Sequence, residues 1–133
     1  MRLGTRVRYA TRAMVELASR HREGAVSIRE ISACQGVSRK YLEQLLSPLR
    51  TAGLVRSVRG PGGGYELIKP PEEITVRQIY EAIEGPARLD ACGRGADGCD
   101  RAEECVTRLL WERMLAAAMD VLEETTLADL LEG

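Results

Sequence analysis

Two strand-like runs, Leu54–Val58 and Tyr65–Lys69, flank the hexapeptide Arg59-Gly-Pro-Gly-Gly-Gly64, and this is the tightest constraint on the fold of the 133-residue chain. The flanks have the period-2 character of strands, and glycine with proline between them marks a hairpin tip. A tip with a leading arginine reads as a β-wing. Its glycines would clear side chains from a backbone that must approach DNA closely. Arg59 could enter a narrow minor groove. The competing reading, a phosphate-cradling loop of an enzyme, fails on two counts: no Gly-Lys-Ser/Thr follows, and no helix opens directly after the glycines.

Upstream, Ala10, Ala13, Met14, Leu17 and Ala18 recur at helical spacing, predicting an amphipathic helix over about residues 6–21, ended by Glu23-Gly24. Ser27-x-x-Glu30 is a capping-box pattern opening a short helix from Ile28 to about Cys34. Gln35-Gly36 makes a turn, and Ser38 caps a third helix running from Arg39 toward Ala52, closed by Gly53. Pro48 should kink that helix or mark a fresh start. Helix, glycine turn, helix is the layout of a helix-turn-helix. With Leu42, Leu45, Leu46 and Leu49 turned inward, Arg39, Lys40, Glu43 and Gln44 point outward. Such residues reach phosphates and base edges from the first turns of a recognition helix.

Beyond the hairpin, Thr75–Gly85 reads as a capped helix stopped by Gly85-Pro86. The longest helical pattern runs from Glu103 to about Glu124, roughly 33 Å at about 1.5 Å per residue. Part of its apolar surface should pack on its own domain, and the rest suits the same helix of a second chain. Trp111 reads as a packing or interface anchor. Thr126 caps a terminal helix, Leu127–Leu131. The expected class is mainly α with a small β-wing, divided into a winged helix-turn-helix domain over residues 1–85 and a cysteine loop with a dimerisation helix over 86–133.

A net charge of −1 conceals an asymmetry. Residues 1–70 hold thirteen Lys and Arg against five Asp and Glu, whereas residues 71–133 hold six against fifteen. A basic half joined to an acidic half fits a polyanion-binding face with a separate assembly or sensing face. No apolar stretch follows the charged N-terminus as in a signal peptide, and none reaches the roughly 18 residues of a membrane span. A cytoplasmic setting is expected, where clustered cysteines point to metal or redox chemistry and not to disulfides.

Three of the four cysteines, Cys92, Cys99 and Cys105, fall within fourteen residues beside glycines and acidic side chains. Such a loop can hold a metal centre. Zinc and iron–sulfur sites both ask for four ligands, so another donor is needed. Cys34 is chemically the best donor, although its position is that of a small half-buried helix residue. Asp97, Asp100, Glu103 and Glu104 could supply an oxygen, and a water or small molecule could fill an open position. His21, the only histidine, sits in a polar His-Arg-Glu sequence and reads as solvent-facing.

Arg2-Leu, Tyr9-Ala, Gly36-Val-Ser38, Tyr41-Leu-Glu-Gln-Leu45, Gly53-Leu-Val and Ser57-Val-Arg-Gly-Pro-Gly-Gly-Gly-Tyr65 together resemble the IscR/NsrR-type (Rrf family) winged-helix transcriptional regulators. The resemblance runs essentially end to end. It implies a homodimer that binds a partially palindromic double-stranded DNA operator. It places Tyr41, Glu43, Gln44 and Arg59 at the DNA interface, beside Ser38, Arg39, Lys40 and Gly60. It also makes Cys92, Cys99 and Cys105 ligands of an iron–sulfur cluster, 2Fe-2S or 4Fe-4S. Family members complete such a site with a histidine shortly after the third cysteine, or with an acidic residue near the N-terminus of the other subunit. Here those places hold Arg108 and Arg8.

The expectation is a regulator whose operator binding follows redox, nitric oxide or iron–sulfur status. A cluster-free repressor switched by thiol oxidation or zinc would use the same DNA face. A protein-interaction module without DNA binding is the third class.

Overall fold

In the computed structural model, residues 3–88 and 106–133 are described. The first helix, α1, spans Thr5–Ser19 and buries Val7, Ala10, Ala13, Met14, Leu17 and Ala18. Alanines on that face let neighbouring elements approach closely, and α1 packs against the second, third, fourth and last helices and against the second strand. The second helix, α2, spans Ile28–Gln35. The Ser27 hydroxyl accepts from the Glu30 N–H at 3.1 Å. Only that half of the expected capping box forms, because the Glu30 carboxylate turns to Arg20 at 2.7 Å.

Gly36, at φ +66°, makes the left-handed turn into α3, Arg39–Thr51. Leu42, Leu45, Leu46 and Leu49 are fully buried along one side of α3. Each contributes about 1.5–3 kcal/mol of apolar burial. The helix passes through Pro48 without a fresh start. The ring costs one backbone donor, but the turn after it closes through the Ala52 N–H to Pro48 O bond at 3.0 Å, and the Leu45, Leu46 and Leu49 contacts hold both halves in register.

Strand β1, Val55–Val58, pairs antiparallel with β2, Gly64–Leu67, in the register Val55 with Leu67 and Val58 with Gly64. A third piece of chain joins them: Val26 and Tyr65 exchange two backbone hydrogen bonds, both 2.8 Å. The bridge ties the hairpin base to the segment leading into α2.

A 3₁₀ turn at Pro71–Glu73 precedes α4, Val76–Glu84, which is closed at its start by a full capping box between Thr75 and Gln78. The long helix, α5, spans Arg108–Glu124. Val106 and Thr107 form a turn instead of the helical start expected there, and residues 103–105 lie outside the described region. Thr126 and Asp129 form a second full capping box opening α6, Leu127–Glu132. The Val76 N–H to Thr125 O and Leu127 N–H to Ile74 O bonds, each 2.9 Å, lace the starts of α4 and α6 together. Met119 and Leu127 thereby join the same buried cluster as α1 and α3. Among the described residues no helix is long and apolar enough to cross a membrane.

Candidate nucleic-acid interface

The start of α3 is built by its cap. The Ser38 hydroxyl accepts from the Tyr41 N–H at 3.1 Å, fixing the first turn. With the leucines inward, Ser38, Arg39, Lys40, Glu43 and Gln44 are all exposed, as the helical spacing predicts. Tyr41 is half-buried, its ring edge-on to Tyr9 of α1 with centroids 6.1 Å apart. Among the described residues neither Arg39 nor Lys40 has an ion-pair partner. Some basic residues elsewhere are paired, such as Arg56 with Glu66 at 2.6 Å and Arg77 with Glu81 at 2.9 Å, while others, such as Arg12, Arg22 and Arg50, have no ion pair among the described residues.

Arg59 and Gly60 are exposed at the hairpin tip, and Arg59 is likewise without an ion-pair partner among the described residues. The glycines behind it serve the hairpin itself. Gly60 and Gly62 adopt φ of +93° and +76° with open space around them. A Cβ on Gly63 would overlap the Val58 carbonyl oxygen, and one on Gly64 the Val26 carbonyl oxygen. At these last two positions the protein's own backbone already leaves no room for a side chain. The Val26–Tyr65 bridge, which creates the crowding at Gly64, has no period or motif to announce it.

The cysteine loop, with Cys92, Cys99, Cys105, Asp97, Asp100, Glu103 and Glu104, lies outside the described residues. Cys34 is exposed near the end of α2, not half-buried. Its sulfur accepts from Arg20 Nη2 at 3.7 Å, and the same guanidinium pairs with Glu16 at 2.8 Å and Glu30 at 2.7 Å. His21, after α1, is half-buried and lines an open surface depression with Pro70, Pro71 and Glu72. Arg108 begins α5 and pairs with Glu112 at 3.1 Å. Among the described residues no three His, Cys, Asp or Glu side chains converge as a metal site.

At about 100° per residue the apolar side chains of α5 fall into a core-facing stripe and a second strip of Leu110, Met114 and Val121 about 120° around the helix, with Leu109 on the other flank. Leu115, Met119 and Leu122 pack on the core. Leu109, Leu110, Met114 and Val121 stay 50–65% exposed. Arg8 is exposed on α1 and lines, with Leu3, Val7, Val76, Tyr80 and Leu122, an open apolar groove between α1, α4 and α5.

Comparison with known proteins gives a consistent picture. The family model described as "Rrf2: Iron-dependent Transcriptional regulator" matches residues 3–133. The HTH-type transcriptional regulator IscR of Erwinia tasmaniensis is 44% identical over 133 residues, which is 100% of this chain and 80% of that protein. Among solved structures, T. potens IscR aligns with a TM-score of 0.81 at 39% identity, covering 99% of this chain and 87% of that one. The oxidized form of Staphylococcus aureus CymR aligns with a TM-score of 0.82 at 39% identity, covering 100% and 98%.

Proposed function

The chain belongs to the Rrf2 family of transcriptional regulators, a non-enzymatic family, and from that premise we propose that it reads a DNA operator under the control of an iron–sulfur cluster held by Cys92, Cys99 and Cys105. The observation that carries the DNA reading is the capped start of α3, where Arg39 and Lys40 are exposed without carboxylate partners among the described residues, on a fold whose wing exposes Arg59 in the same state. Exposed cations without carboxylate partners at the start of a helix and at a wing tip are complementary to phosphate. Glu43 and Gln44 carry the acceptors and donors that distinguish base edges.

In this reading residues 1–85 bind DNA and residues 86–133 sense and assemble. The exposed stripe of α5 joins two chains into a homodimer, because an apolar strip of that length on a helix seeks cover. Two-fold symmetry then sets two α3 helices in successive major grooves about 34 Å apart, so the operator is a partial palindrome.

Three soft thiolates fit an iron–sulfur cluster, 2Fe-2S or 4Fe-4S, in three of its four positions. When bound, such a cluster supplies thiolate–iron bonds that respond to oxidation, nitric oxide and iron supply. Arg108 cannot ligate, which leaves Cys34, an oxygen from Asp97, Asp100, Glu103 or Glu104, or a water or small molecule as candidates for the fourth position. The loop lies between the wing half and α5 in the chain, so its conformation can bias the relative placement of the two α3 helices. It acts only as far as one arrangement of the loop favours the DNA-competent dimer over the other.

A second reading keeps the same DNA face and replaces the cluster by thiol oxidation or zinc at the same cysteines. Likeness to CymR, solved in an oxidized form, supports it as much as likeness to IscR supports the first. Protein purified without oxygen separates the two. Near-equal iron and acid-labile sulfide with a visible chromophore, both lost in Cys92→Ala together with regulated DNA binding, is the expected result. Zinc, or no metal with regulation retained, would establish the second reading.

A further inference from the structure

Behind the exposed start of α3 stands a three-member stack. The Arg12 guanidinium lies over the Tyr9 ring, 5.2 Å from its centroid. Tyr9 in turn meets the Tyr41 ring edge-on, at an interplanar angle of 86°. Tyr9 and Tyr41 are half-buried and pack against the core, while Arg12 is exposed. Among the described residues Arg12 has no ion pair, so the ring face is its partner. On its other side Arg12 lines the apolar groove with Val76 and Tyr80 of α4 and Leu122 of α5.

We propose that Tyr9 and Arg12 are positioning residues for sequence reading: they hold the Tyr41 ring, and with it the first turn of α3, at a fixed setting toward DNA. The inference rests on the proposed role of α3 as the recognition helix. Edge-to-face rings lose attraction when either turns, so Tyr9 restricts the Tyr41 side chain. Arg12 restricts Tyr9 by a cation–π contact. Tyr41 lies between Lys40 and Leu42, so its setting fixes where an exposed cation and a buried leucine meet the first turn. Through Arg12 the same stack reaches the α4–α5 groove, which gives a physical link between whatever packs on that groove and the reading head.

The test uses the full-length wild-type chain to select a duplex from a randomised pool. Affinities for that duplex and for a composition-matched scramble are then compared across salt concentrations. Tyr9→Leu should lower discrimination about two- to tenfold, with the salt slope unchanged, and Tyr9→Phe should retain it. In a Tyr41→Leu background, Tyr9→Leu should add nothing. An equal loss in that background, or no loss in the single variant, would overturn the proposal. Arg12→Gln should lower discrimination in the same direction, and its exposed position keeps the test usable if Tyr9→Leu does not fold. Equal weakening on both duplexes, with a salt slope reduced by about one, would instead make Arg12 a phosphate ligand and overturn its positioning role. A wild-type chain that binds DNA without discriminating, or not at all, would overturn the recognition-helix reading and this inference together. A wild type that discriminates while the variants behave as it does would overturn only the inference.

Discussion

Gly64 and Ser38 are single residues whose roles separate cleanly by substitution. At Gly64 the obstacle is the Val26 carbonyl of a bridging segment, whereas at Gly62 there is only a positive φ with room around it. Gly64→Ala should therefore destabilise by more than about 2 kcal/mol and Gly62→Ala by about 1–2 kcal/mol, an order that denaturant unfolding would read. Ser38 serves as a cap and faces the proposed DNA surface. Ser38→Ala should cost about 1 kcal/mol of stability, while Ser38→Asp retains the cap. If the surface meets phosphate, Ser38→Asp should nonetheless weaken DNA binding severalfold, seen in affinity at unchanged thermal midpoint. The serine cap was legible because a hydroxyl before a helical pattern has one obvious use. The reason for Gly64 was not, because it depends on Val26, which is remote in sequence and alternates with nothing.

At the scale of elements, the sequence pattern carried most of the helices. The leucine spacing of α3 and the Thr75 and Thr126 caps are local signals that act locally, and the structure has them where the pattern puts them. What escaped were effects set by neighbours. Glu30 abandons its half of a capping box because Arg20, on another element, is the stronger partner. Pro48 is absorbed because buried leucines on both sides outweigh one lost backbone bond. This gives an element-level prediction. Leu46→Ala, beneath the middle of α3, should destabilise by about 2–5 kcal/mol. Pro48→Ala should be neutral or stabilising, since it restores a donor within an intact helix. Chemical denaturation of the two variants compares them directly. The cysteine loop falls outside the described residues, so its reading rests on ligand chemistry, spacing and the family resemblance.

For the whole molecule, the division of charge and the two faces of α5 point the same way. The basic surplus lies in residues 1–70 and the acidic surplus in residues 71–133, as expected if one part meets DNA and the other a second chain. A second, exposed apolar strip on a helix already packed on the core is what a chain folded in half of its final assembly would show. Met114→Glu, on the exposed stripe, should convert a dimer to a monomer in sedimentation while the unfolding midpoint of the domain changes little. Met119→Glu, on the buried side of the same helix, should unfold that packing instead. The most direct measurement is a titration of the anaerobically purified chain against a duplex it has selected from a randomised pool, followed over salt concentration. The account predicts two chains per duplex on a partially palindromic site, with affinity falling steeply as salt rises, by a log–log slope of about −0.9 per phosphate neutralised. No saturable binding, or binding insensitive to salt, would contradict it.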